Sequence, residues 1–150
     1  MAVDGVEVCA FVWSRLVADS GPGGFNTLLG GTVTQPGRIY RDRVPQAAAL
    51  PAATVSLVAA PDLTTLGGVR VMTTVDVDVR IVGAGAGSYG PLAPISKRAD
   101  VVLDQAGGSA GAAYVYKLRR ADFRSFVEDD GGQAFTHLIS TYRTESHAAP

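Results

Sequence analysis

The chain is poor in the residues that staple small folds together. It has a single cysteine, Cys9, among 150 residues, so no intrachain disulfide can form. With two histidines, His137 and His147, the thiol and imidazole groups are too few to close a structural zinc site. An excess of charge is also lacking. Thirteen Lys and Arg face fourteen Asp and Glu, a formal net charge of −1, which leaves no global basic field to draw the chain onto nucleic acid or an acidic membrane surface. No apolar run approaches the ~20 residues of a membrane helix, and Asp4 and Glu7 stand where a signal peptide carries positive charge. The expectation is a soluble chain from a reducing cytoplasm, without a membrane partner or sequence-specific nucleic-acid binding. At this length it makes one domain that withdraws roughly 70% of its unfolded surface from water.

What the chain does have is periodicity. From Val6 to Ala18 the apolar positions Val6, Ala10, Trp13 and Val17, with Cys9 and Leu16 beside them, predict a helix. Asp4 and Glu7 have the spacing of a capping box, and Gly21-Pro22-Gly23-Gly24 ends the segment. Residues 25–34 need no more than a loop or a single turn. Arg38 to Tyr40 and Ala53 to Ala59 read as strands joined through Pro45 and Pro51. The clearest pattern is Val69, Val71, Thr73, Val75, Val77, Val79 and Ile81 alternating with Arg70, Met72, Thr74, Asp76, Asp78 and Arg80; it predicts a long half-buried strand. After a glycine-rich connection, Pro91 and Pro94 are read in the first turn of a second helix with the stripe Ile95, Ala99, Val102, Leu103 and Ala106. A mobile loop runs through Gly111. Strands follow at Tyr114 to Leu118, Phe123 to Glu128 and Gln133 to Arg143, the last two joined by a hairpin turn at Asp129-Asp130-Gly131-Gly132. Residues 1–5 and 145–150 are expected to fray. The order α, β, β, β, α, β, β, β with alternating strands predicts a single α+β domain, an antiparallel or mixed sheet with two main helices packed on one face.

Few motifs point to chemistry. Gly85-Ala86-Gly87-Ser88-Tyr89-Gly90 has dinucleotide-loop spacing between a strand and a helix, but Pro91 removes an amide donor and the strand before it has a polar face. Gly107-Gly108-Ser109-Ala110-Gly111 matches a nucleophile-elbow pattern, with Asp122 and His137 following in hydrolase order, yet a helix precedes it where an elbow needs a strand. A small nucleotide-binding or hydrolytic enzyme is therefore the weakest reading, and no catalytic residue, cofactor or metal ligand is assigned. Asp76, Asp78 and Arg80 share one strand face and lack a further ligand nearby in sequence, which favours a solvated or subunit-facing surface. Lys97, Arg98, Lys117, Arg119, Arg120 and Arg124 are interleaved with Asp100, Asp104 and Asp122, a pattern of charge balance or of complementarity between copies. Cys9, close to Trp13, reads as inert core.

Taken in order, the N-terminal helix closed by Gly21-Pro22, Arg38-Ile39-Tyr40 leading through Pro45 and Leu50-Pro51 into the next strand, the strand Val69 to Ile81, the helix through Ala106, Arg119-Arg120-Ala121-Asp122-Phe123 and the final Ile139-Ser140-Thr141-Tyr142-Arg143 resemble the tail terminators, or tail completion proteins, of long non-contractile phage tails. The resemblance covers nearly the whole chain. It implies a non-enzymatic virion protein, assembled in the host cytoplasm, that forms a ring (a hexamer in relatives) on the head-proximal end of the tail tube. Such a ring stops tube growth and joins the tail to the head. Its implied partners are further copies of itself, the major tail tube protein and a neck or head-completion protein. A head-tail connector or neck stopper is the alternative. A closed ring needs two unlike patches on each subunit, and same-face polarity selects Asp76, Asp78, Arg80, Arg119 and Arg124 as candidates for the subunit or tube interface.

Overall fold

The computed structural model describes residues 5–68, 70–87 and 89–148; Asp4 of the expected capping box, Val69, Ser88 and the last two residues lie outside them. The alternating segment forms β4, Arg70–Ala84. Its odd-numbered side chains Thr73, Val75, Val77, Val79 and Ile81 are buried, while Val71 near its start is half exposed. Each buried valine or isoleucine contributes about 1.5–3 kcal/mol relative to exposure, so this face anchors the core.

Before β4 come α1 (Gly5–Ala18), the one-turn α2 (Phe25–Leu28), β1 (Ile39–Arg41), β2 (Ala52–Ala59) and β3 (Asp62–Thr64). After it come α3 (Tyr89–Leu103), β5 (Gly108–Ala110), β6 (Ala113–Val115), β7 (Arg119–Asp130) and β8 (Gln133–Ala148). The strands form one eight-stranded mixed sheet ordered β1-β2-β4-β8-β6-β5, with β3 added beside β4 and β7 beside β8. The β1–β2 pair is parallel and the other pairs are antiparallel. The fold is α+β, with two main helices on one face of the sheet: α1 lies on β2 and β4, and α3 on β4 and β8.

Several local expectations shift. The deeply buried side of α1 is Val8, Cys9, Val12 and Leu16, whereas Val6 is exposed; much of this helix is apolar all round, and the sheet selects the arc that meets β2. Helix α3 keeps its stripe, with Leu92, Ile95, Ala99 and Leu103 buried. It begins two residues before Pro91, so Pro94 lies inside the helix rather than in its first turn and removes one intrahelical donor. The expected loop through Gly111 is instead the β5–β6 hairpin, turned by Gly111 at φ +60°. Strand β8 continues through residues 145–148, pairing with β6 where fraying was expected. The glycine turn is as anticipated: Gly131 and Gly132 have φ of +63° and +85°, the left-handed pair that a tight hairpin favours.

Buried Asn26 ties the segment between α1 and β1. Its carboxamide accepts from the Gly37 amide at 2.6 Å and donates to Ser20 Oγ at 2.9 Å and the Thr32 carbonyl at 3.1 Å. Nearby, Arg98 of α3 makes a two-pronged contact with Asp19, both bonds 2.7 Å. Asp19 also accepts from the Phe25 amide at 2.6 Å, and the Arg98 bonds hold its carboxyl below the usual carboxylate range. These contacts fix the helices to the loop that feeds β1.

Candidate functional site

Directly paired residues of neighbouring strands project to the same side of a sheet. The register therefore lines up Asp76, Arg143 and Arg119; then Asp78, Thr141 and Asp122; then Arg80, Ile139 and Arg124; and finally Val82, His137 and Phe126. All five residues selected from sequence, Asp76, Asp78, Arg80, Arg119 and Arg124, occupy the face opposite the helices.

Four of these five already have contacts within the subunit. Asp76 receives both prongs of Arg143, at 2.8 and 2.9 Å. Asp78, almost buried, accepts from Thr141 Oγ1 at 2.5 Å and from Arg124 at 2.8 Å, and Arg124 reaches Asp122 at 3.2 Å. The Arg80 guanidinium lies 6.0 Å from the centre of the Phe126 ring. Phe126 stacks on His137 at 4.5 Å with 9° between ring planes, and His137 Nε2 is 3.0 Å from Glu128 Oε2. Burial of the imidazole, followed by the nearby Arg80 cation, pushes the His137 pKa below its ordinary value. Arg119 differs: it is exposed and makes no ion pair among the described residues. Sequence reading missed Arg143, Thr141 and Phe126 as members of this face, although His137, Thr141 and Arg143 recur at even spacing in the last strand.

Three of the six basic residues singled out in the second half, Arg98, Arg120 and Arg124, are neutralised locally. Arg98 pairs with Asp19, and Arg120 with Asp100 at 2.5 Å. Asp100 also accepts from the buried Tyr142 hydroxyl at 2.5 Å, and burial raises the pKa of that phenol. Cys9 is buried, and desolvation pushes its thiol up to about 11.

The chemical motifs do not assemble. Ser109 lies within β5, paired with Tyr114, and Tyr114 pairs with His147. His137 is ten residues earlier on β8, about 33 Å along an extended strand, and Asp122 is engaged by Arg124. Gly85 and Gly87, with φ of +88° and +69°, turn the chain from β4 into α3. No group of three or more His, Cys, Asp or Glu among the described residues could hold a metal ion. No helix among them is long and apolar enough to cross a membrane.

Strand β7 is the least covered element. All twelve of its residues are exposed, including Phe123, Phe126 and Val127 at 46%, 40% and 47%. It is hydrogen-bonded to β8 on one side only.

Comparison with known proteins agrees with this architecture. The family model described as tail completion protein gp17 matches residues 23–145. Among solved structures, a chain from the "virion of native gene transfer agent (GTA) particle" superposes with a TM-score of 0.64 at 18% identity, over 92% of this chain and 94% of that one. A second structure matches with a TM-score of 0.59 at 10% identity, over 99% of both chains. No curated protein matches the chain.

Proposed function

Because the chain belongs to the tail completion protein gp17 family, a family of structural phage tail proteins, we propose that it is the subunit of a closed ring, six copies in number, on the head-proximal end of the tail tube. The ring ends tube polymerisation and presents a surface to the neck. The chain is a structural component of the virion tail. The finer role is supported by the unlike lateral edges of its sheet.

At the β1 edge three outward backbone groups are engaged internally. The Ile39 carbonyl accepts from Trp13 Nε1 at 3.1 Å, the Ile39 amide donates to Gly37, and the Arg41 carbonyl accepts from the Arg43 amide. Among the described residues, β7 pairs with β8 and with no strand on its other side. A long bare edge strand invites pairing with another chain, and monomeric proteins usually blunt it. A subunit with one closed and one open edge is suited to a heterologous contact, in which a patch on one copy meets a different patch on the next, and such contacts close into rings.

The test is a phage lacking this protein. Tail tubes that overrun their normal length, corrected by supplying the protein in trans, are the expected result. Tails of normal length on heads that lose their DNA would overturn the terminator role and identify a neck stopper.

A further inference from the structure

Resting on the ring reading, we propose that the β7–β8 hairpin of one subunit docks, acidic tip first, onto a basic and aromatic groove at the opposite end of the sheet in the next subunit. The tip carries Glu128, Asp129 and Asp130, with no Lys or Arg between residues 125 and 136. Asp129 accepts from the Gly132 amide within the turn, and Asp130 makes no ion pair among the described residues. Immediately before the tip are the exposed Phe126 and Val127.

The groove has the complementary character. Leu63, Met72, Tyr116 and His147, with Val71 at the strand end, line a depression of about 540 Å³. Tyr116 and His147 have their ring centres 5.1 Å apart. Tyr116 also borders an adjoining depression of about 570 Å³ that contains Lys117 and Arg119, with Arg143 and Glu145. Lys117 and Arg119 make no ion pair among the described residues, whereas Arg143 is held by Asp76. Lys117 and Arg119 therefore outnumber Glu145, the one acid of this lining. On the arm, Phe126, Glu128 and Asp130 share one face of β7, as alternate residues of a strand do.

The two patches cannot meet within one subunit. The tip lies at Gln133 and the groove at Thr144 and Glu145, eleven residues along β8, or roughly 35 Å. They can meet between copies. A twelve-residue strand extends about 40 Å, enough to contribute to the ~800 Å² per partner of a stable contact. Opposite charges at its end set direction and register, so the contact is head to tail.

The test uses two charge reversals at exposed positions, Glu128→Lys with Asp130→Lys on the tip, and Lys117→Glu with Arg119→Glu in the groove. Circular dichroism confirms that each variant is folded, and light scattering across a concentration series gives mass. Wild-type protein is expected at about six subunits and each variant alone at one. An equimolar mixture should recover the wild-type mass, because each reversed tip meets a reversed groove and each native tip a native groove, in alternation around the ring. Variants that keep the wild-type mass overturn this seam and leave the ring reading standing. Monomeric variants whose mixture stays monomeric also overturn it. A wild-type chain that remains monomeric at every concentration and on isolated tail tubes overturns the ring reading, and the seam with it.

Discussion

Replacement of Asp78 tests whether the charged face braces the subunit. The residue is 8% exposed, and its carboxylate accepts from Thr141 Oγ1 at 2.5 Å and from Arg124 at 2.8 Å. In Asp78→Ala the hydroxyl of Thr141, a residue 8% exposed, loses its acceptor, at a cost of about 1–3 kcal/mol. The Arg124 side chain is 46% exposed and can turn to water, so the lost ion pair adds only about 0.5–1 kcal/mol. The combined loss is about 1.5–4 kcal/mol, which lowers the Tm of a domain this size by about 3–16 °C. Asp78→Asn retains an oxygen for Thr141 but puts an amide NH2 where the second oxygen accepted from the exposed Arg124, so it should cost about 1 kcal/mol. Urea denaturation of the three proteins at pH 7 measures both differences. Equal losses below about 0.5 kcal/mol in Ala and Asn would refute the reasoning, since the face would then carry charge without bracing the sheet.

Three further outcomes follow from the same contacts. Because Asp19 titrates below its unfolded value, chiefly through Arg98, its contribution is present above about pH 4, the unfolded carboxylate range, and is lost as pH falls through the folded pKa. Arg98→Ala should return Asp19 towards the ordinary range in a carbon-13 carboxyl titration and reduce the acid dependence of stability. Asn26→Ala removes a side chain hydrogen-bonded to Gly37, Ser20 and Thr32, and thermal denaturation should show a loss of about 2–4 kcal/mol. Cys9, buried with its thiol pushed up to about 11, should resist a thiol reagent at pH 8 in the folded protein and react fully in denaturant.

The parts of the fold legible in sequence are those where one face is dry and the other wet. Strand β4 shows its period because Val75, Val77, Val79 and Ile81 meet the helices while Asp76 and Arg80 do not. The glycines of the β7–β8 turn were legible because their backbone angles exclude most other residues. Strand β7 was read six residues too short, as Phe123 to Glu128, because both its faces are exposed and no hydrophobic alternation marks its ends. Strand β5 carries only Gly, Ser and Ala, so its identity comes from pairing with β6 and not from its own residues. The five candidate positions share a face, as period two requires. Their partners Arg143, Thr141 and Phe126 come from strands distant in sequence, and the register that joins them follows from the whole sheet.

Strand β8 has a mechanical consequence. It pairs with β4 through twelve consecutive residue pairs and holds β7 along its other edge. A pull on the hairpin tip along the strand axis loads the β4–β8 hydrogen bonds side by side, in shear, and does not peel them one at a time. If neighbouring copies hold one another by this hairpin, tension around the ring is carried into the sheet of each subunit, and the hairpin resists withdrawal with the strength of the whole ladder.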